Sequence, residues 1–368
     1  MVVSRWLLIG TLLLILGLGV VSTAKLTWDN FRNGPPPAPS AADLIDGRVT
    51  AGIAKEFSTE VAVRPLAINL LNAAAFYVFG EARHGMLIGS DNWLFSREEF
   101  ERAARSTTNI DAALGLMQQV IETLHARGVK VAVVLLPMKA DIYGKYLGRY
   151  ALPAAQRNLY AELLAQAGEV GADYAPDIQS LLRQRSDAEQ VFLKTDTHWT
   201  VSGAGATAAA LCGLVSADLP HAEITAVAQA TVQHRGDLLN FLDLGPFASG
   251  VALMTEAITP LAAAKGADSE DALFGASDEF PITLVGTSYS ANPLWSFKDQ
   301  IETSCQASVL GVAVDGEGPF EPMADYLHKL SAGEFAAPRL VVWEIPIRYF
   351  DDYDSTTLAA LVPDAGQP

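Results

Sequence analysis

Stretches of helical periodicity alternate along this chain with short apolar runs. Residues 51–82 place apolar side chains at helical spacing and lead into Gly85–Phe95. There, two short apolar runs around Gly89-Ser90-Asp91-Asn92 predict a hairpin. A helix over about 109–126 feeds the apolar run Val129–Leu136, which reads as a central parallel strand ended by Pro137. Helical spacing returns over 153–168, 177–184 and 201–215, with a short apolar turn near Tyr174, and Ile282–Val285 and Leu340–Trp343 read as further strands. This alternation predicts an α/β sandwich with a mostly parallel central sheet, in which sites form beyond the carboxyl ends of strands. Pro137, Ser288 and Glu344 all fall at such ends.

The start of the chain follows a different pattern. Trp6–Ala24 carries no charged side chain, and as a helix it is long enough to cross most of a ~30 Å hydrocarbon core. Arg5 before it and Lys25 after it fit a signal anchor over 1–25, with a signal peptide cleaved near Ser22-Thr23-Ala24 as the alternative. Either reading sends the rest of the chain across the membrane, into the periplasm for a Gram-negative source. Prolines in Asn33–Ser40 make 26–42 an extended tether. A folded domain is expected over 43–355, and 356–368 reads as a frayed tail.

Half of the 368 residues are apolar, enough to bury the core of one large domain. A formal net charge of -17 argues against a nucleic-acid partner, which requires clustered Lys and Arg that the sequence does not show, and it disfavours tight binding of an extended polyanion. Only Cys212 and Cys305 occur, in helix-like stretches where a free cysteine packs as a small apolar residue; one bridge in an oxidising compartment is the alternative.

Two motifs about ninety residues apart carry the chemistry: Asp196-Thr197-His198-Trp199, and Gly286-Thr287-Ser288-Tyr289-Ser290 after the 282–285 strand. A serine hydroxyl needs an imidazole to take its proton and a carboxylate to fix the imidazole tautomer. Ser288, His198 and Asp196 supply these groups, provided the fold brings them together. A strand-to-helix turn at Ser288 would also leave backbone N–H groups free to hold an oxyanion. The plainer readings are a helix N-cap serine and an Asp-capped turn with a half-buried histidine. No metal site is expected: no third ligand lies nearby, and His221 and His234 are too scattered. His84, His125 and His328 read as surface or structural.

In this order, these segments resemble the periplasmic polysaccharide O-acetyltransferases of the AlgJ, AlgX and WssI type, relatives of the SGNH hydrolases. The resemblance covers most of 43–350. It also rests on Gly85–Phe95 with Glu98-Glu99, on Leu136-Pro137-Met138-Lys139-Ala140, and on Trp343-Glu344-Ile345-Pro346-Ile347-Arg348-Tyr349. It implies a circularly permuted SGNH-like three-layer sandwich, in which the Asp/His pair precedes the serine, and a catalytic triad at Ser288, His198 and Asp196. The Gly-Asp-Ser of the wider superfamily is Gly286-Thr287-Ser288 here.

The resemblance further implies acetyl transfer through an acetyl-serine onto an exopolysaccharide hydroxyl, with no cofactor. It implies an acetyl donor relayed by a membrane acyltransferase of the MBOAT type, and other secretion proteins as partners. A chain ending at 368 leaves no room for an AlgX-like carbohydrate-binding module, so the anchored AlgJ type is expected. The acidity argues against alginate, a polyuronate. The Ser288 N–H, with Asn292, is the expected oxyanion donor. Tyr289, Arg348 and Lys139 are substrate-binding candidates, with Tyr349 at the same rim. Trp93, Trp199 and Trp295 read as buried packing ahead of sugar stacking. An acetylesterase and a non-catalytic scaffold of a secretion complex are the rival functions.

Overall fold

The structure, a computed structural model, describes residues 63–82, 85–101, 106–250, 254–265, 280–351 and 353, with isolated positions before residue 63. The expected anchor, tether and tail lie outside these described stretches. The chain divides into two compact units, one of residues up to 82 with 242–253, the other of 83–241 with 254 onward.

The first unit contains helix α1, Val63–Ala74, which continues as a π-helical turn over Ala75–Phe79 and stops at Gly80 with φ 61°. Only glycine takes that left-handed conformation without strain. The buried Asn72 donates to Asp243 O at 2.8 Å and the exposed Tyr77 to Phe247 O at 2.9 Å, so segment 242–250 is tied to this helix at two points.

The second unit opens with β1, Met86–Ile88, and β2, Leu94–Ser96, paired antiparallel. Asp91 and Asn92 both take positive φ, and Trp93 N–H closes on Ser90 O at 3.0 Å. These are the marks of a two-residue type I′ turn, in which Asp and Asn tolerate the left-handed region. The predicted hairpin is therefore present. Next come α2, Ser106–His125, and β3, Lys130–Leu136, then α3, Ala154–Glu169, α4, Ile178–Arg185, and α5, Val201–Val215. An irregular stretch follows with β4, Ile224–Ala228, β5, Val232–His234, β6, Glu256–Ile258, and β7, Leu261–Lys265. The chain then forms β8, Ile282–Val285, α6, Phe297–Cys305, β9, Val309–Gly311, α7, Phe320–Ser331, and β10, Leu340–Pro346.

The central sheet has the order β3-β10-β8-β9 with every pairing parallel. Tyr174 adds a single parallel bridge to Ala132 at its outer edge. The α/β architecture with a parallel sheet is as the alternation predicts. All seven residues of β10 are buried, the mark of a strand covered on both faces. Trp343 stands opposite Val133 and Val285, so β3, β8 and β10 deliver Pro137, Gly286 and Glu344 to one end of the sheet.

Two antiparallel pairs, β4 with β7 and β5 with β6, have no counterpart in the sequence pattern. Four of the five β4 side chains are exposed, so no buried face imposes an alternation. α7 and β9 were likewise not apparent from periodicity.

Cys212 and Cys305 form a disulfide, in place of the expected free thiols. The reason lies in packing: α5 and α6 lie side by side and bring the two Cα atoms to 4.8 Å. The bridge ties the helix that follows His198 to the helix that follows Ser288.

Lys139, expected at the rim, is 1% exposed. Its Nζ donates to the carbonyls of Leu94 at 2.6 Å, Lys194 at 3.0 Å and Asp196 at 2.8 Å, which uses all three of its protons. Burial pushes the amine down to about 8, against the pull of Glu99 and Asp196. Lys139 thus staples β2 to the loop that carries Asp196, and it does not reach solvent.

Two outcomes follow from this architecture. Replacing both cysteines by alanine should lower the unfolding free energy by about 4 kcal/mol, because the bridge closes a loop spanning 93 positions; urea denaturation of both proteins measures it. Lys139→Met should cost about 3 kcal/mol by stranding the carbonyls of Leu94 and Asp196, the Lys194 carbonyl keeping its bond from Leu94 N–H at 2.9 Å, and a loss below about 1 kcal/mol would contradict this account.

Candidate active site

Ser288 stands where β8 ends and a short helical turn, Ser288–Ala291, begins. It is the one residue between 281 and 290 that is not buried. The turn is built on Glu344, a fully buried side chain of β10. Glu344 accepts from Thr287 N–H at 2.8 Å, from the Thr287 hydroxyl at 3.1 Å and from the Ser290 hydroxyl at 2.9 Å. A Cβ at position 286 would lie 2.5 Å from the Glu344 carboxylate, so only glycine allows β8 to pass this close. Gly286, Thr287 and Ser290 of the motif therefore all answer to one carboxyl group. Burial pushes that carboxyl up to about 7, although the hydrogen bonds from Thr287 and Ser290 favour its ionised form. The Ser288 N–H opens the turn, where no intrahelical acceptor exists.

The second motif lies in a tight loop. Leu193 N–H donates to His198 O and Thr200 N–H to Val191 O, each at 3.0 Å, which folds 191–200 back on itself. Glu256 accepts the N–H groups of Lys194 and Thr195, each at 2.9 Å, and Asp237 accepts Thr197 N–H at 2.8 Å. Thr197 also bonds Asp237 through its hydroxyl. Gly236 permits this approach, since a Cβ there would meet Thr195 O at 2.0 Å.

Tyr289 and Trp199 cross-link the two motifs. The Tyr289 hydroxyl donates to Thr197 O at 2.6 Å, and Trp199 Nε1 donates to Tyr289 O at 3.2 Å. The imidazole of His198 packs on Tyr289 at 4.6 Å and stacks on Trp295 at 5.1 Å between ring centres.

The result is a continuous relay. His198 Nε2 lies 2.7 Å from Ser288 Oγ, and His198 Nδ1 lies 2.6 Å from Asp196 Oδ1. Asp196 is 2% exposed and also accepts the His198 N–H, so it orients both the backbone and the ring of the residue two positions on. Its other oxygen accepts from His234 Nε2 at 2.7 Å and from Asp237 N–H at 3.0 Å. Burial alone would raise this carboxyl, but the hydrogen bonds from His198 and His234 outweigh it and hold it well below the usual carboxylate range. With Asp196 ionised, Nδ1 carries the proton and Nε2 is left to accept one from Ser288.

His234, set aside in the sequence as too scattered, belongs to this cluster. It sits on β5, and no motif or periodicity marks it.

The other candidates fall in different places. Asn292 Oδ1 caps Leu294 N–H at 3.0 Å, and its own N–H donates to Ser288 O, so it lies directly on the serine turn. Tyr289 is buried and serves the cross-link. Arg348 contacts the hydroxyls of Tyr289 and Tyr349 at 3.4 and 3.5 Å and approaches Glu98 at 3.7 Å, with its guanidinium over both rings. Its side chain is 12% exposed, as is that of His198. Trp93, Trp199 and Trp295 are all buried, the packing role expected of them.

Asp196, His198 and Asp237 lie close enough to share a cation. Their donor atoms are already engaged within the relay and with Thr197. A cleft of about 480 Å³ lined by Gln190, Leu193, Thr200, Val201, Glu256 and Ile258 opens beside the same loop. Ser288 does not line it.

Residues 86–347 match the family described as "SGNH hydrolase-like domain, acetyltransferase AlgX". Among curated relatives, the "Probable alginate O-acetylase AlgJ" of Pseudomonas putida is 36% identical over 91% of this chain and 86% of its own length. The protein of the same name from Pseudomonas aeruginosa is 34% identical over 90% of this chain and 89% of its own. The solved O-acetyltransferase domain of Pseudomonas putida AlgJ superposes with a TM-score of 0.66 at 33% identity, covering 76% of this chain and 99% of that one. Pseudomonas aeruginosa AlgX, with a TM-score of 0.58 at 19% identity over 75% of this chain and 65% of its own, shares the fold. The chain belongs to the SGNH hydrolase-like acetyltransferase family of AlgX and AlgJ.

Proposed function

We propose that this protein is an O-acetyltransferase that carries an acetyl group on Ser288 and delivers it to a hydroxyl of an exopolysaccharide. The observation that supports this most directly is the unbroken relay Ser288 Oγ to His198 Nε2 and Nδ1 to Asp196, in a chain 36% identical to a protein named as an alginate O-acetylase. His198 removes the hydroxyl proton as Ser288 Oγ attacks the acetyl carbonyl carbon. The tetrahedral intermediate collapses, and His198 returns that proton to the leaving group. A sugar hydroxyl then attacks the acetyl-serine and gives its proton to His198; collapse breaks the bond from the acetyl carbon to Ser288 Oγ, His198 returns the proton to that oxygen, and the sugar leaves as the acetyl ester. Asp196 stabilises the imidazolium in both halves.

The Ser288 N–H and the Asn292 amide are the donors we assign to the oxyanion, since both sit on the turn that presents the serine. Arg348, whose guanidinium lies over the Tyr289 ring that packs on His198, is the candidate to meet the sugar, and Tyr289 supports it from within the cross-link. Alginate is the polymer that the relatives' names put first for testing, in spite of the net charge of -17. The apolar span Trp6–Ala24 supports an inner-membrane anchor with the domain in the periplasm, where an MBOAT-type acyltransferase would relay the donor and other secretion proteins would act alongside. The order of His198 before Ser288 supports a circularly permuted form of the SGNH plan.

Ser288→Ala should lower acetyl transfer from an activated acetyl ester to alginate oligosaccharide by on the order of 10³-fold or more, with the fold retained. Transfer at the native rate would refute the assignment. The Glu344 carboxyl behind the turn has its own signature in stability. Its folded value of about 7 lies above the ordinary 4.5, so between those values the folded protein keeps a proton that the unfolded chain releases, and this contribution is lost as pH rises. Comparing urea denaturation near pH 5 and pH 8, the native protein should lose roughly 3 kcal/mol relative to Glu344→Gln.

A further inference from the structure

A serine relay needs one imidazole on its carboxylate, and this one has two. Asp196 Oδ1 faces His198 and Oδ2 faces His234, at 2.6 and 2.7 Å. The same indole contacts both rings: His198 lies flat on Trp295, with 20° between the planes, and His234 meets it edge-on at 85°. Trp295 is 1% exposed, and the side chain of His234 is 18% exposed, so neither is a freely rotating surface group. β5 pairs with β6, which sets His234 opposite Glu256. Glu256 also holds the Asp196 loop through Lys194 and Thr195, so a single strand pair fixes both the loop and the second histidine.

We propose that His234 is a positioning residue for the reaction at Ser288: by holding Oδ2 of Asp196 it fixes the carboxylate plane so that Oδ1 meets His198 Nδ1 and Nε2 faces the serine. This rests on the acetyl-serine reading above. A carboxylate free to turn about its Cβ–Cγ bond would have the Asp237 N–H as its sole tie on that side. His234 also sets how much negative charge Asp196 offers His198, since two donors share one anion. The charged groups facing His234 are Asp196, Asp237 and Glu256, all acidic, and they favour its protonated form. Protonation of His234 would therefore weaken the base at His198 and leave the geometry unchanged.

The test compares His234→Gln, whose amide nitrogen reaches the place of Nε2, with His234→Asn, whose amide falls short. Both are made in the full-length protein purified in detergent, with thermal melts to confirm folding. A fluorophosphonate reports the reactivity of Ser288 whatever the sugar acceptor, and acetyl transfer to alginate oligosaccharide gives kcat and KM. His234→Asn should slow labelling and lower kcat on the order of 10- to 100-fold, with KM within about twofold, and its acid limb should move to higher pH because Asp196 keeps more charge for His198. His234→Gln should stay within a few-fold of the native rate. Native rates in His234→Asn, or equal losses in both variants, would overturn the positioning role alone. A native protein that the fluorophosphonate does not label at Ser288 would overturn the acetyl-serine reading, and this inference with it.

Discussion

The loop from Lys194 to His198 is the constraint on which the site depends, because the backbone reaches it only at its two ends, at Lys194 O and His198 O, among the bonds of the described residues, and charged side chains from distant segments supply most of the rest. Glu256 takes two of its N–H groups, Asp237 a third and Asp196 a fourth. Lys139 takes the carbonyls of Lys194 and Asp196, and the Tyr289 hydroxyl takes that of Thr197. Unpaired backbone groups in a buried loop are costly, so each ion has a definite task in place of a general attraction. A loop held in this way keeps its imidazole at one height above the sheet.

The serine is held by a parallel device. Glu344 anchors the turn from beneath, and Gly286 makes room for it. Because β10 lies between β3 and β8, Glu344 comes from the middle of the sheet, and the serine turn inherits the rigidity of its most buried strand. Tyr289 and Trp199 then lock turn to loop through reciprocal hydrogen bonds. The distance between the His198 imidazole and the Ser288 hydroxyl is thus set by packed elements on both sides.

Much of this was legible in the sequence, and the remainder divides by physical cause. Three of the four strands of the central sheet, β3, β8 and β10, announced themselves as apolar runs, whereas the three-residue β9 did not, and Asp196, His198 and Ser288 stood out because serine chemistry demands those groups. Their spacing of two positions made the Asp/His pair readable as a unit, and the hairpin at Asp91-Asn92 followed from turn chemistry. His234 was not legible: it sits on a three-residue strand whose first two side chains are exposed, and only the β5–β6 pairing brings it to Asp196. Lys139 was misplaced because a charged residue past a strand end ordinarily faces water, whereas here three carbonyls receive it. The cysteine pair was misread because helix-to-helix adjacency leaves no trace in a single sequence.

The Cys212–Cys305 bridge has a topological consequence for this arrangement. In chain order Asp196, His198 and His234 precede the segment between β5 and β8, and Ser288 follows it. A peptide bond cut anywhere from 235 to 287 would divide the chain into a fragment carrying the carboxylate with both histidines and a fragment carrying the alcohol. Each fragment retains one of the two sulfurs, so the halves would remain a single covalent molecule, and these side chains would stay tethered by a route that bypasses the severed backbone.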